Sequence, residues 1–295
     1  MKRKSRFDVE VKKVNILHHD AEAEIFEKVH SEAFSPYARS QILKDIDYID
    51  NNSAAKELCV DVGCGTGLVT SFELSRYKIV VAMDISKRML KIIRRKFKNS
   101  DSLNLLLCDA EDLPLKSEVA DMVSVSSVLH HLPKPLHSIM EMSRILKTEG
   151  FLYVTREPND VRFRRFFNFF DDNLICIGEF ILSLPFFKKR REKRNIIKLI
   201  IKDCLNYPEA DIHCPSGFKI EELSCFLSLN HFKIFSAYSY HWIFFDRLSG
   251  TNFIIAKIPF SKKLGRYICC IAKKLSSKEK GEEQMDNIML YAHAN

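Results

Sequence analysis

A chain of 295 residues with 46% hydrophobic and 28% charged residues can bury a large core, and this composition excludes disorder along its whole length. Its nine cysteines, at 59, 64, 108, 176, 204, 214, 225, 269 and 270, show no C-x-x-C spacing and read as free thiols of a reducing compartment, against a disulfide scaffold. The net charge of +8 gathers in the first thirteen residues, in Lys188 to Arg194, and in Lys262, Lys263, Arg266, Lys273 and Lys274. Solvated surface accounts for such runs, and anionic lipid headgroups or nucleic acid are the partners they would otherwise suit.

Met1 to Arg6 is basic but leads into Phe7-Asp8-Val9-Glu10, so no secretory leader is expected, and no stretch reaches the roughly 20 apolar residues of a membrane span. The expected location is cytoplasmic, with peripheral contact to anionic membrane as the alternative. Residues 1–52 are expected to be helical and to form a lid. Asp20 is placed to cap a helix with Ile25, Phe26 and Val29 on one face, and Ile42, Leu43, Ile46 and Ile49 mark another. Tyr37 between them suits packing or ligand contact. His18, His19 and His30 read as surface residues, because no third metal ligand is visible near them; no metal is expected.

Leu58 to Val62 is an apolar run interrupted only by Asp61, the pattern of a parallel strand covered on both faces. Gly63, Gly65 and Gly67 follow at every second position, so the backbone can turn tightly beneath a ligand, and a helix is expected from about Thr66. The dinucleotide fingerprint Gly-x-Gly-x-x-Gly is not met, since Leu68 stands where its last glycine belongs. Further apolar runs end at Asp84, at Asp109-Ala110 and at Ser126, the last leading into His130-His131. Strands that each end in a polar residue describe a parallel sheet with its ligand outside the carboxyl ends. Between them, Ser86 is placed as an N-cap, with Met89, Ile93 and Phe97 as a buried stripe. Leu136, Met140 and Leu146 mark the next helix, with Gly150 as its C-terminal stop and Phe151 to Thr155 as a fifth strand.

In this set of motifs the chain resembles the class I S-adenosylmethionine-dependent methyltransferases, in the branch that holds quinone-ring and many small-molecule and lipid methyltransferases. The residues that carry the likeness are Asp61 to Gly67, Asp84, Asp109-Ala110, Ser126 to Leu132, and Arg144-Ile145-Leu146 with Gly150-Phe151, over about residues 55–157. The resemblance implies an α/β, Rossmann-like, seven-stranded and mostly parallel sheet with helices on both faces. It also implies a division into a lid at 1–52, a cofactor-binding core at 53–159, a helical cap insertion at 160–212 and a core completion at 213–259. A basic amphipathic helix and loose tail are expected at 260–295. S-adenosyl-L-methionine is the implied cofactor. Gly63, Gly65 and Gly67 would admit its close approach, Asp61 would face its amino-acid end, and Asp84 its ribose hydroxyls. Asp109 and Ala110 would meet the adenine, and Ser126 would line the methyl channel. The leading helices would lie over the mouth of the site.

Methyl transfer from a sulfonium needs positioning and exclusion of water more than covalent help. An oxygen or carbon acceptor does need to lose a proton, and His131, with its neighbour His130, stands where a base belongs; His213 and Glu157 are weaker candidates. The Asn/Asp-Pro-Pro-aromatic signature of nucleic-acid amino-group methyltransferases is absent, with Ser126-Ser127-Val128-Leu129 in its place. The expected function is methyl transfer to a small or lipid-like acceptor at oxygen or carbon. The alternatives are a cofactor-binding scaffold without turnover, and an RNA methyltransferase using the interleaved Arg and Phe of 162–170. Phe232 to Tyr240 and Asn252 to Ile258 are expected as a terminal antiparallel pair. Nothing in the sequence speaks to oligomeric state.

Overall fold

The structure, a computed structural model, describes residues 6–159, 217–240 and 267–276. Seven strands form one sheet: β1 Leu58–Val62, β2 Ile79–Asp84, β3 Leu103–Leu107, β4 Ala120–Ser126, β5 Leu146–Pro158, β6 Phe232–Tyr240 and β7 Tyr267–Lys274. Their order is β3-β2-β1-β4-β5-β7-β6. The first five run parallel, while β7 pairs antiparallel with both β5 and β6. The order reverses between β1 and β4, and in an open α/β sheet that switch point opens a crevice at the carboxyl ends.

The helices are α1 Arg6–Glu22, α2 Phe26–Val29, α3 Pro36–Asn52, α4 Thr70–Glu73, α5 Lys87–Lys96, α6 Pro135–Ile145 and α7 Ile220–Leu229. They cover both sheet faces because successive residues of each central strand point oppositely. Cys59, Met122, Phe151 and Tyr153 pack with Ile42, Ile46 and Ile49 of α3 on one face. Val60, Val123, Val125 and Val154 pack with Ile139, Met142 and Ile145 of α6 and Leu223 and Leu227 of α7 on the other. Ser86 caps α5 as expected, accepting from Met89 N at 3.1 Å.

Several expectations are corrected. Tyr267–Lys274 is a strand and no part of an amphipathic helix. Ile268 to Ala272 are all buried, since β7 is inserted between two neighbours and covered on both faces. A strand that is apolar at every position satisfies helical spacing as readily as strand spacing, and the sequence pattern could not choose. The expected strand Asn252 to Ile258, the cap insertion 160–212 with its basic run, and His213 lie outside the described residues. Residues 6–13 belong to α1, within the expected helical stretch. Gly150 lies within β5, and Leu136 and Met140 are exposed, because α6 buries Ser138, Ile139, Met142 and Ile145 and stops before Leu146. Tyr37 is packed in the core with α3. Among the described residues no helix is long and apolar enough to cross a membrane.

Candidate functional site

The carboxyl ends of β1, β2, β4 and β5, roofed by α1 and α2, enclose a cavity of about 530 Å³, within the range of small-molecule sites. Asp61, Gly63, Gly65, Asp84, Asp109, Ala110, Ser126, His130 and His131 all line it. Gly67 does not; a Cβ there would meet Ile93 and Phe97 at 2.8–2.9 Å, so this glycine serves the packing of the turn on α5.

At the end of β1 the chain turns with Gly63 at φ +71° and Gly65 at φ +53°. A side chain on Gly63 would strike Val128 at 2.2 Å, whereas in front of Gly65 the first atom stands 4.0 Å away. The turn is therefore closed against the neighbouring strand and open toward the cavity, so a ligand can approach the Gly65 backbone closely. The helix expected from Thr66 begins only at Thr70. Its start is held by Asp61, whose Oδ2 accepts from Thr70 N at 3.1 Å and Thr70 Oγ1 at 2.5 Å. The Ser124 hydroxyl lies 3.3 Å from Asp61 Oδ1 and 2.5 Å from Glu73 Oε1. Burial pushes Asp61 up to about 6 and Glu73 well above the usual carboxylate range, so Glu73 is the partner that keeps a proton. The hydrogen bonds of Asp61 thus run inward to the turn, a positioning use that the expectation of direct cofactor contact had not included.

Asp84, at the end of β2, clamps two backbones: Oδ2 accepts from Gly65 N at 2.8 Å and Oδ1 from Ser86 N at 2.7 Å. Burial raises its pKa, and these amides and His19 oppose the rise. A carboxylate has about four acceptor positions, so each oxygen retains capacity toward the cavity. Asp109 follows β3; its Oδ1 accepts from Glu111 N at 3.0 Å and its Oδ2 from Lys12 Nζ at 2.6 Å. Lys12 also reaches Glu111 at 2.5 Å. Burial lowers the Lys12 pKa, and the two carboxylates more than offset this, leaving it raised and the ammonium charged. One of the basic residues among the first thirteen therefore latches α1 to the sheet.

The lid is held at further points. Asn15 Nδ2 donates to His131 O at 2.8 Å, and Asp20 accepts from Ser86 Oγ at 2.6 Å and Arg88 N at 3.2 Å. Asp20 thus supports the cap of α5 and does not start a helix of its own. Glu27 pairs with Lys96, and Glu24 with Arg95 at 2.6 Å. The expectation that His18, His19 and His30 lack a third partner is also corrected: Glu22 lies 3.5, 3.0 and 3.3 Å from their ring nitrogens. Burial would raise the Glu22 pKa, and the hydrogen bonds from His19 and His30 bring it down to about 2.

After β4, Ser127 takes φ +56° and a single 3-10 turn, Leu129–His131, presents both histidines to the cavity. Glu157, fully buried at the end of β5, anchors that turn. It accepts from Val128 N at 2.8 Å, Leu129 N at 3.0 Å and His130 N at 3.2 Å, and its Oε2 lies 2.8 Å from His130 Nδ1. The His131 ring is stacked edge-on with His19, centroids 5.2 Å apart, and lies 4.0 Å from His130. Sequence reasoning missed Lys12 and Glu22 as parts of this wall. Arg156-Glu157, two charges at the end of an apolar strand, is the exit that the sequence places on the substrate side, and both residues are buried there.

Residues 60–154 match a family described as "Methyltransferase domain". Over 101 residues the chain is 33% identical to an uncharacterized chloroplastic methyltransferase of Arabidopsis thaliana, a stretch covering 32% of this chain and 29% of that protein. Over 198 residues it is 25% identical to the demethylmenaquinone methyltransferase of Staphylococcus carnosus, covering 64% of this chain and 76% of the other. The demethylmenaquinone methyltransferase of Clavibacter sepedonicus is spanned over 41% of its length, so several curated relatives are matched in part only. A solved Bacillus halodurans structure described as a candidate methyltransferase shares the fold, with a TM-score of 0.52 at 19% identity, over 80% of this chain and 100% of that one. The matched domain begins within β1 and ends within β5, the strands whose ends frame the cavity, so the stretch that resembles methyltransferases is the one that builds the site.

Proposed function

We propose that this chain transfers the methyl group of S-adenosylmethionine to a small-molecule or lipid-like acceptor, at oxygen or carbon. The observation that carries the reading is the convergence of Gly65, Asp84 and Asp109 on one cavity with the His130–Glu157 pair at its other side. The open space before Gly65 and the uncommitted acceptor positions of Asp84 fit a ribosylated cofactor: Asp84 would hold the hydroxyls, Asp109 and Ala110 the base, and Gly63 and Gly65 the amino-acid end. Asp61 supports that end by fixing the turn. The bound cofactor supplies an activated methyl, so the remaining requirements are alignment, dryness and a proton acceptor.

Exclusion of water falls to α1 and α2, latched by Lys12, Asn15 and Glu27. For the proton, the hydrogen bond to Glu157 favours His130 over His131, the residue preferred on sequence grounds. With its proton on Nδ1 facing Glu157, the neutral imidazole carries its basic lone pair on Nε2. His131 then serves as a packing partner for the lid through His19. Ser126 lines the channel between the two ends. Calorimetry with S-adenosylhomocysteine, followed by transfer of labelled methyl into a metabolite and lipid extract, tests the reading. Binding with a labelled product is expected; binding without any product above background would leave a scaffold, and no binding would remove the cofactor site itself.

A further inference from the structure

Arg156 differs from every other charged group described in the cavity wall. It sits at the irregularity of β5, where the pairing with β7 slips between Thr155 and Glu157, and it adopts φ +60°. A bulge of this kind re-aims a side chain, and a left-handed arginine persists only where its surroundings impose it. Thr155, Arg156 and Glu157 are in consequence all buried, which a regular strand end at a cavity mouth would not need. The guanidinium lies over the Tyr267 ring, 4.4 Å from its centroid. Its ion pair among the described residues is with Glu32, Nη2 to Oε1 at 3.8 Å, too long for a hydrogen bond. Nη1 is buried and donates to nothing among the described residues, although the residue is 3% exposed.

The adjacent Glu157 shows what a satisfied charge looks like here, with four donors on its two oxygens. Arginine offers five donors in a planar fork that suits two oxygens side by side. Stacking on Tyr267 fixes the plane of that fork. Glu32 comes from the turn between α2 and α3, with its side chain a quarter exposed, and Arg156, Tyr267 and Glu32 all line the cavity. A carboxylate that neutralises a buried guanidinium without bonding to it, and that stays in touch with solvent, is suited to be exchanged for another anion.

We propose that Arg156 binds an oxyanion, carboxylate or phosphate, on the methyl acceptor, and that Glu32 balances its charge until the acceptor takes that place. The inference rests on the methyltransferase reading and narrows it: the acceptor is an acid whose reacting atom lies toward His130, since the residue next to Arg156 is the one that orients that histidine. Selection works in two ways. A neutral acceptor leaves the guanidinium with its distant partner, and an acidic one gains a bidentate pair in a site of low dielectric.

The test is calorimetry on the full chain saturated with S-adenosylhomocysteine, using benzoate, phenyl phosphate and the neutral benzamide as probes. The two anions report which oxyanion is read, and benzamide reports ring binding alone. At least one anion should bind about tenfold or more tightly than benzamide, and Arg156→Gln should remove that difference while Arg156→Lys keeps part of it. Glu32→Gln should strengthen anion binding, a gain that a misfolded variant cannot imitate. Equal binding of all three probes, or anion affinity unchanged in Arg156→Gln, overturns the proposal. If Arg156→Gln instead weakens S-adenosylhomocysteine, the guanidinium reads the carboxylate of the cofactor and the acceptor assignment is overturned. Failure of the wild-type chain to bind S-adenosylhomocysteine would strike the underlying reading, and that outcome is distinct because it appears before any probe is added.

Discussion

The two sides of the cavity hold their charges in opposite ways. At the ends of β1, β2 and β3 the acids Asp61, Asp84, Asp109 and Glu111 are each bound to backbone amides, hydroxyls or Lys12. At the ends of β4 and β5, two non-glycine residues, Ser127 and Arg156, are forced into left-handed conformations, and a buried guanidinium nitrogen has no hydrogen-bond partner among the described residues. Carboxylates that are each fixed by a partner suit a site that must present the same shape to one cofactor in every cycle. Strain and an unmet donor suit a site completed by the molecule that is selected. On the proposed reading, the first side holds the cofactor and the second selects the acceptor.

The largest effect that would sharpen this contrast is on turnover. His130→Ala should lower methyl transfer by about 10²–10⁴-fold while S-adenosylhomocysteine binding measured by calorimetry stays as in wild type; an equal loss in both would place the histidine on the cofactor side. Asp84→Ala should weaken S-adenosylhomocysteine by about 100-fold, the equivalent of losing two charge-assisted hydrogen bonds and the clamp on Gly65. Unchanged affinity would refute the ribose assignment. Lys12→Met leaves Asp109 and Glu111 without their shared cation, so the amides of α1 should exchange about tenfold faster with deuterium. If α1 exchanges at the wild-type rate, the latch lies elsewhere.

The smallest expected effect is a dependence on pH. Burial lifts Glu73 well above its ordinary 4.5, so the folded chain keeps a proton that the unfolded chain releases above that value. The stability contributed there is complete below 4.5 and is lost as the pH rises toward the folded value. The Tm of wild type should fall relative to Glu73→Gln as the pH rises above 4.5. Parallel curves would mean that the carboxyl is ionised in the fold.

This contrast also explains how much of the chain was legible beforehand. Local chemistry is legible: apolar runs ending in Asp61, Asp84 and Asp109, the glycines between them, and the Ser86 cap all state their positions within a few residues. What depends on partners distant in sequence is not. Lys12 reads as one more terminal lysine until α1 crosses the sheet to Asp109, and Glu22 joins His30 only because the chain folds back between α1 and α2. The misreading of Tyr267–Lys274 has the same cause, because its uniform burial comes from β5 and β6 on either side. The bulge at Arg156 is likewise invisible to periodicity, although the exit of the fifth strand is not.

The place of β7 bears on how the molecule is made. Among the described residues β6 is joined to β5 through residues 267–274, so during synthesis both strands leave the ribosome before the strand that pairs them. The nascent chain must wait for residues 267–274 before the described sheet can be completed, and any stop codon ahead of that point would leave β6 cut off from the five parallel strands.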